Sequence, residues 1–208
     1  MILESIEKRK SKIILKFNNS DTLEIYYDVY LMLSLFKGDE VTSEKVEKIL
    51  NMNAEYEIKN SAFRYLSNRN HSTFELKRKL RKKDFDPEII DRVISELLEK
   101  KYLDDFNFAE NFVRNRIERR KEGIIKITSE LYKKGVSREI ISNVIEAVKE
   151  LPVNSQNAFE VGKVKLEKIY KRGESDKNKI KSKLFNFLKG RGFTNDIIFE
   201  VMNKLIIE

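Results

Sequence analysis

The segment Asp84-Phe85-Asp86-Pro87-Glu88-Ile89-Ile90-Asp91-Arg92-Val93-Ile94 decides the fold, because the chain writes it three times. It returns as Gly135-Val136-Ser137-Arg138-Glu139-Ile140-Ile141-Ser142-Asn143-Val144-Ile145. It returns again as Gly192-Phe193-Thr194-Asn195-Asp196-Ile197-Ile198-Phe199-Glu200-Val201-Met202. Each copy holds an apolar residue, a capping Asp, Ser or Thr, an acid close behind, an Ile-Ile pair and a Val. The cap oxygen can accept an otherwise unpaired backbone N–H, and the acid suits the positive end of the helix dipole. The aliphatics then share one face, so each copy reads as a tight turn followed by an amphipathic helix.

Upstream, Leu80, Leu131 and Leu188 each precede the turn by four residues, and Leu76, Ile127 and Leu184 by four more. That i, i+4 aliphatic seam marks a helix before each turn. A further helix is predicted ahead of each pair, at about 56–68, 105–120 and 153–172. The sequence therefore predicts a mainly α fold of three tandem three-helix repeats, at 56–103, 104–151 and 152–208, in an elongated, curved array. The turns are 51 and then 57 residues apart. This is looser than a strict solenoid, so each repeat can hold its own small core.

Residues 1–55 read differently. Two β-rich runs, 12–17 and 22–27, flank the polar turn Asn18-Asn19-Ser20-Asp21 and predict a β-hairpin, to which residues 2–8 can add a third strand. Short helices follow: one capped by Asp28 and running through Leu35 before Gly38, the other starting at Thr42 or Ser43 and ending near Met52.

The 208 residues include only 2 prolines and 7 glycines, as long helices require. There is no cysteine and a single histidine, His71. Disulfides, thiolate chemistry, Cys-containing zinc sites and multi-His metal sites are thereby removed. The start Met1-Ile2-Leu3-Glu4 becomes charged at once and no long uncharged apolar run follows, so a cytoplasmic protein without a membrane partner is expected. Phosphate-cradling glycine loops, nucleophile elbows and metalloprotease motifs do not occur. Asp104-Asp105 is the one paired carboxylate, and it reads as a helix cap with a first-turn acid. His71, followed by Ser72 and Thr73, reads as a cap neighbour or a surface contact. No catalytic residue, metal or cofactor is expected, and the protein is expected to be a monomer and not an enzyme.

Charge carries more information. The net charge is +8, yet residues 1–60 hold nine basic and eleven acidic side chains, so the excess lies downstream. Residues 69–83 bring Arg69, Lys77, Arg78, Arg81 and Lys82, with Lys79 and Lys83, against the single acid Glu75. A second cluster holds Arg114, Arg116, Arg119, Arg120 and Lys121, with Lys133 and Lys134 further on. In a third, at 163–191 and ending with Lys189 and Arg191, eleven basic residues meet three acids. Any one cluster could be a solvated helix face; three in consecutive repeats point to a binding track for nucleic acid or an acidic protein. A helix-turn-helix array that reads bases is disfavoured, because the second helix of the first pair carries five acids against one base, counting its cap. Acid there is repelled by phosphates.

The residues also resemble a known family. Ala62 and Leu66 lead into Arg69-Asn70-His71-Ser72, Glu75-Leu76 and Leu80. Phe85, Ile90, Val93 and Leu97 follow, then Leu103-Asp104-Asp105 with Phe108-Ala109, and then Gly123, Ile127, Leu131 and Gly135-Val136. Over about residues 57–208 this pattern resembles the bacterial RecX family of recombination regulators. The resemblance implies a protein that binds the filament of RecA recombinase on single-stranded DNA. It implies one that lies along the filament's groove against adjacent protomers and damps ATP hydrolysis, strand exchange and co-protease activity. Two departures stand out: Asp84 replaces a glycine in the first turn, and Asn70 and His71 replace a more basic pair. The charge alone also fits a DNA-binding protein without sequence preference, with Tyr132 and Tyr170 as stacking side chains, or a scaffold for another acidic protein.

Overall fold

The computed structural model describes residues 1–206. Its contacts divide them into two compact units, one of residues 1–70 with 76–103, the other of residues 71–75 with those from 104 onward.

In the first unit, β1 (Leu3–Arg9), β2 (Lys12–Phe17) and β3 (Thr22–Tyr26) form an antiparallel sheet in that order. The expected hairpin is thus the β2–β3 part of a three-stranded sheet, and β1 is the strand the 2–8 run allowed. Side chains alternate across β2, so Ile13, Leu15 and Phe17 face one core with Leu3, Ile25, Leu35, Val41 and Ile49.

Helix α1 spans Tyr27–Leu33, and its cap differs from the expectation. Tyr26 occupies the cap position without a side-chain cap bond, while Asp28 lies inside the first turn and accepts a hydrogen bond from the Tyr56 hydroxyl. The helix also stops before Leu35, because Ser34 turns left-handed at φ 47°. A larger correction concerns α2, which runs unbroken over Ser43–Asn68 where two helices were expected. Thr42 starts it by accepting from the Lys45 N–H at 3.2 Å. The stretch Asn51-Met52-Asn53-Ala54-Glu55-Tyr56 contains neither Gly nor Pro, so nothing local ends the helix. Its first half buries Ile49 in the sheet core and its second half buries Ile58 and Ala62 in the next one. The boundary placed after residue 55 therefore falls inside a continuous helix. That second core also gathers Leu76 and Leu80 from α3 (Thr73–Arg81), Ile90, Val93 and Leu97 from α4 (Pro87–Glu99), and Leu103. Asp86 caps α4 by accepting from the N–H groups of Glu88 and Ile89 at 2.7 and 3.2 Å.

The second unit contains α5 (Asp105–Glu118), α6 (Ile124–Lys133), α7 (Arg138–Lys149), α8 (Val153–Tyr170), α9 (Lys177–Gly190) and α10 (Asn195–Ile206). Phe108, Ala109, Val113, Ile127, Leu131, Ile141 and Val144 build one core. Ala158, Leu184, Leu188, Phe193, Ile198 and Val201 build another. Ser137 caps α7 through the Ile140 N–H, as expected of its place in the repeat. The turns at Gly135 and Gly192 have φ of +72° and +89°. Each also receives the start of another helix. Ser72 Oγ donates to the Lys134 carbonyl at 2.6 Å, and a Cβ on Gly135 would lie 2.3 Å from that of Phe74. The N–H groups of Gly123 and Ile125 donate to the carbonyls of Arg191 and Gly192 at 2.9 and 3.0 Å, and a Cβ on Gly192 would lie 2.3 Å from that of Lys126. Only glycine meets both demands. At the matching turn of the first unit, Asp84 is exposed with φ 56°, a conformation Asp tolerates better than most side chains.

Candidate interaction surfaces

The aliphatic seam of α3 sets its polarity. Leu76 and Leu80 are fully buried, so Arg78, Arg81 and Lys82 project to solvent, and Arg69 is exposed ahead of the helix. Lys77 is tied more closely, its ammonium 2.6 Å from Asp91 on α4. Lys79 stands 4.6 Å over the Tyr65 ring, and Lys83 donates to Ser61 Oγ at 3.1 Å. Behind this face a charged network joins α2 to α4: Lys59 lies 2.7 Å from Glu55 and 2.6 Å from Glu96, and Lys100 lies 2.6 Å from Glu96. The hydrogen bonds from Lys100 and Lys59 hold the Glu96 carboxyl below the usual carboxylate range.

In the second unit the cations divide into two kinds. Arg114, Arg119, Arg120, Lys133 and Lys189 are exposed; Lys189 lies 5.6 Å over the Phe185 ring. Arg116 is an internal tie, with its side chain only 16% exposed. Its guanidinium lies 3.2 Å from Glu122 and 2.6 Å from Glu130, and it rests 4.7 Å over Phe112. Glu122 is itself buried and also meets Lys126 at 2.9 Å. Lys134 pairs with the buried Glu75 at 2.7 Å beside the rings of Phe108 and Phe112. Arg191 donates to the backbone carbonyls of Arg120 and Lys121. The charge pattern does not separate these three from their exposed neighbours: Lys134 and Arg191 find partners about sixty to seventy residues away, and Arg116 meets acids beyond the end of its own helix.

His71 and Ser72 are buried, so the surface reading of His71 gives way to the cap-neighbour reading. Ser72 Oγ accepts from the Glu75 N–H at 3.1 Å while making its bond to Lys134. Asp104 caps α5 by accepting from Phe106 and Asn107 at 2.9 and 3.0 Å. Asp105 in the first turn accepts from the Thr73 N–H at 2.7 Å, which also secures the start of α3. Both carboxylates are thus structural. Asn154 was missed by sequence reasoning: its amide donates to the carbonyls of Val148 and Lys149 at 2.7 and 3.0 Å, closing the end of α7. No group of three or more His, Asp or Glu residues among the described residues could hold a metal ion, and no described helix is long and apolar enough to cross a membrane.

Comparison with known proteins adds three family models, described as the first, second and third three-helix domains of RecX, which match residues 59–97, 104–145 and 160–202. The chain is 33% identical over 217 residues to the regulatory protein RecX of Clostridioides difficile, covering 99% of this chain and 96% of that one. It is 30% identical over 210 residues to its counterpart in Clostridium acetobutylicum, covering 99% and 95%. Among solved structures, a regulatory protein RecX superposes with a TM-score of 0.76 at 18% identity, covering 97% of this chain and 98% of that one. RecX from Lactobacillus salivarius superposes with a TM-score of 0.65 at 22% identity, covering 74% and 98%. These likenesses show the shared fold.

Proposed function

Because the chain belongs to the RecX family of regulatory proteins, we propose that it binds the RecA filament on single-stranded DNA in its groove and inhibits or modulates the recombinase. The outputs affected are ATP hydrolysis, strand exchange and co-protease activity, and the action is adhesion rather than catalysis. One observation supports this most directly: Arg78, Arg81 and Lys82 around α3, and Arg114, Arg119 and Arg120 around α5, all reach solvent in consecutive repeats. The second helix of the first repeat presents mostly acids instead, with Glu88, Asp91 and Glu99 exposed on α4 beside the single basic residue Arg92. A second helix this acidic is poorly suited to read bases, and the basic residues of α3 and α5 suit adhesion to a polyanionic assembly.

The test is RecA-dependent ATP hydrolysis on single-stranded DNA, titrated with this protein. Hydrolysis should fall as the protein approaches the concentration of the recombinase. An unchanged rate at several-fold excess would overturn the reading.

A further inference from the structure

The third repeat contains a furrow between α8 and α9 that the charge clusters alone did not single out. Two adjoining hollows, of about 390 and 420 Å³, share Lys165 and Lys168 as a common wall. One is lined further by Arg172, Glu174 and Lys183, the other by Lys121, Glu160, Val161, Val164, Phe187 and Arg191. Six cationic side chains therefore face two acidic ones. Both acids are already engaged, Glu174 by Lys183 and Glu160 by Lys121. Lys168 and Arg172 are exposed and have no carboxylate partner among the described residues.

The furrow has two chemical sides. Lys165 and Lys168 lie three residues apart on one face of α8, an axial step of about 4.5 Å, and Arg172 follows in the turn just after the helix. Beside them lie Val161, the half-exposed Val164 and the ring of Phe187, with the Lys165 ammonium 5.3 Å from the centre of that ring. A ligand that is anionic along one edge and flat and apolar along the other satisfies both sides, and a nucleotide has that form. The aromatic and aliphatic floor is what favours a single strand, because only an unstacked base can turn its face onto Phe187 and Val164.

We propose that this furrow binds single-stranded nucleic acid directly, with phosphates along Lys165, Lys168 and Arg172 and a base over Phe187 and Val164. The proposed contacts all come from α8, the turn after it and α9, and the proposal does not rest on the recombinase reading.

The test measures fluorescence anisotropy of a labelled oligothymidylate with the full chain and no recombinase. The double reversal Lys168→Glu with Arg172→Glu is compared with Lys177→Glu and Lys181→Glu, which changes net charge equally at exposed α9 positions outside the furrow. The furrow reversal should weaken binding at least about tenfold and flatten its salt dependence, with the α9 reversal changing it less than about threefold. All four side chains are exposed, and circular dichroism checks that both variants stay helical. Absence of wild-type binding at low salt, or equal losses in the two variants, would overturn the proposal. So would displacement by polyglutamate as effective, per charge, as displacement by unlabelled strand, because the furrow would then be an acidic-peptide site. Displacement by free thymidine monophosphate at matching nucleotide concentration would reassign the site to a mononucleotide and reject the strand. The readout contains no recombinase, so its failure leaves the ATP-hydrolysis test untouched, and the reverse holds.

Discussion

At the scale of single residues, position in the charge pattern does not reveal what a cation does. Arg116 and Arg119 lie three residues apart in the same basic cluster, yet one is held between Glu122 and Glu130 and the other is exposed. Replacing Arg116 with Ala leaves the buried Glu122 with Lys126 alone. A loss of about 2 kcal/mol in denaturant unfolding is expected, against less than about 0.5 kcal/mol for Arg119→Ala. The repeated turn makes a second comparison. Gly192→Ala forces a Cβ into the backbone of α6 and occupies a positive φ, so it should destabilise by more than about 2 kcal/mol. Asp84→Gly, at a turn whose side chain is exposed, should change stability by less than about 1 kcal/mol. Equal effects at the two turns would refute the packing account. The sequence displayed the Gly-to-Asp difference, and the docking of the α6 start on the Gly192 turn supplies its reason.

At the scale of elements, most helices were legible because caps and periodicity are short-range. Asp86, Asp104 and Ser137 each bond the N–H groups that their spacing implied. Helix α2 was not legible as one element, because its apolar face changes partner midway while its backbone continues. The α2–α4 network gives this pairing a pH signature. Hydrogen bonds from Lys100 and Lys59 lower the Glu96 carboxyl in the folded state, so its contribution is complete above the unfolded value of about 4.3 and is lost as pH falls through the lower folded value. Glu96→Gln should therefore lower stability at neutral pH and bring the variant closer to wild type in strong acid. Urea midpoints measured from pH 7 down to pH 3 would show the two curves converging; a constant gap would remove Glu96 from the account. The effect is modest, because both ammonium groups are partly solvated.

At the scale of the whole molecule, the N-terminal sheet and each of the repeats hold separate apolar cores, and the proposed function assigns the contact to exposed cations. Replacing Arg78, Arg81 and Lys82 together with Ala should weaken the effect on recombinase ATP hydrolysis, with the salt dependence reduced by up to about three ion contacts and the melting temperature shifted little. An unaltered titration would place the contact elsewhere. The sequence by itself determined the repeat, the caps of α4, α5 and α7, the separate cores, the family resemblance and the regions of positive charge, because each of these is written in short stretches of chain. Only the tertiary structure decided that α2 is continuous, that His71 is buried, and that Arg116, Lys134 and Arg191 serve the interior. It also decided that Lys165, Lys168 and Arg172 border a furrow with an aromatic floor. Many of these contacts join side chains from different elements, and a charge acquires its role from what the fold brings within a few ångströms of it.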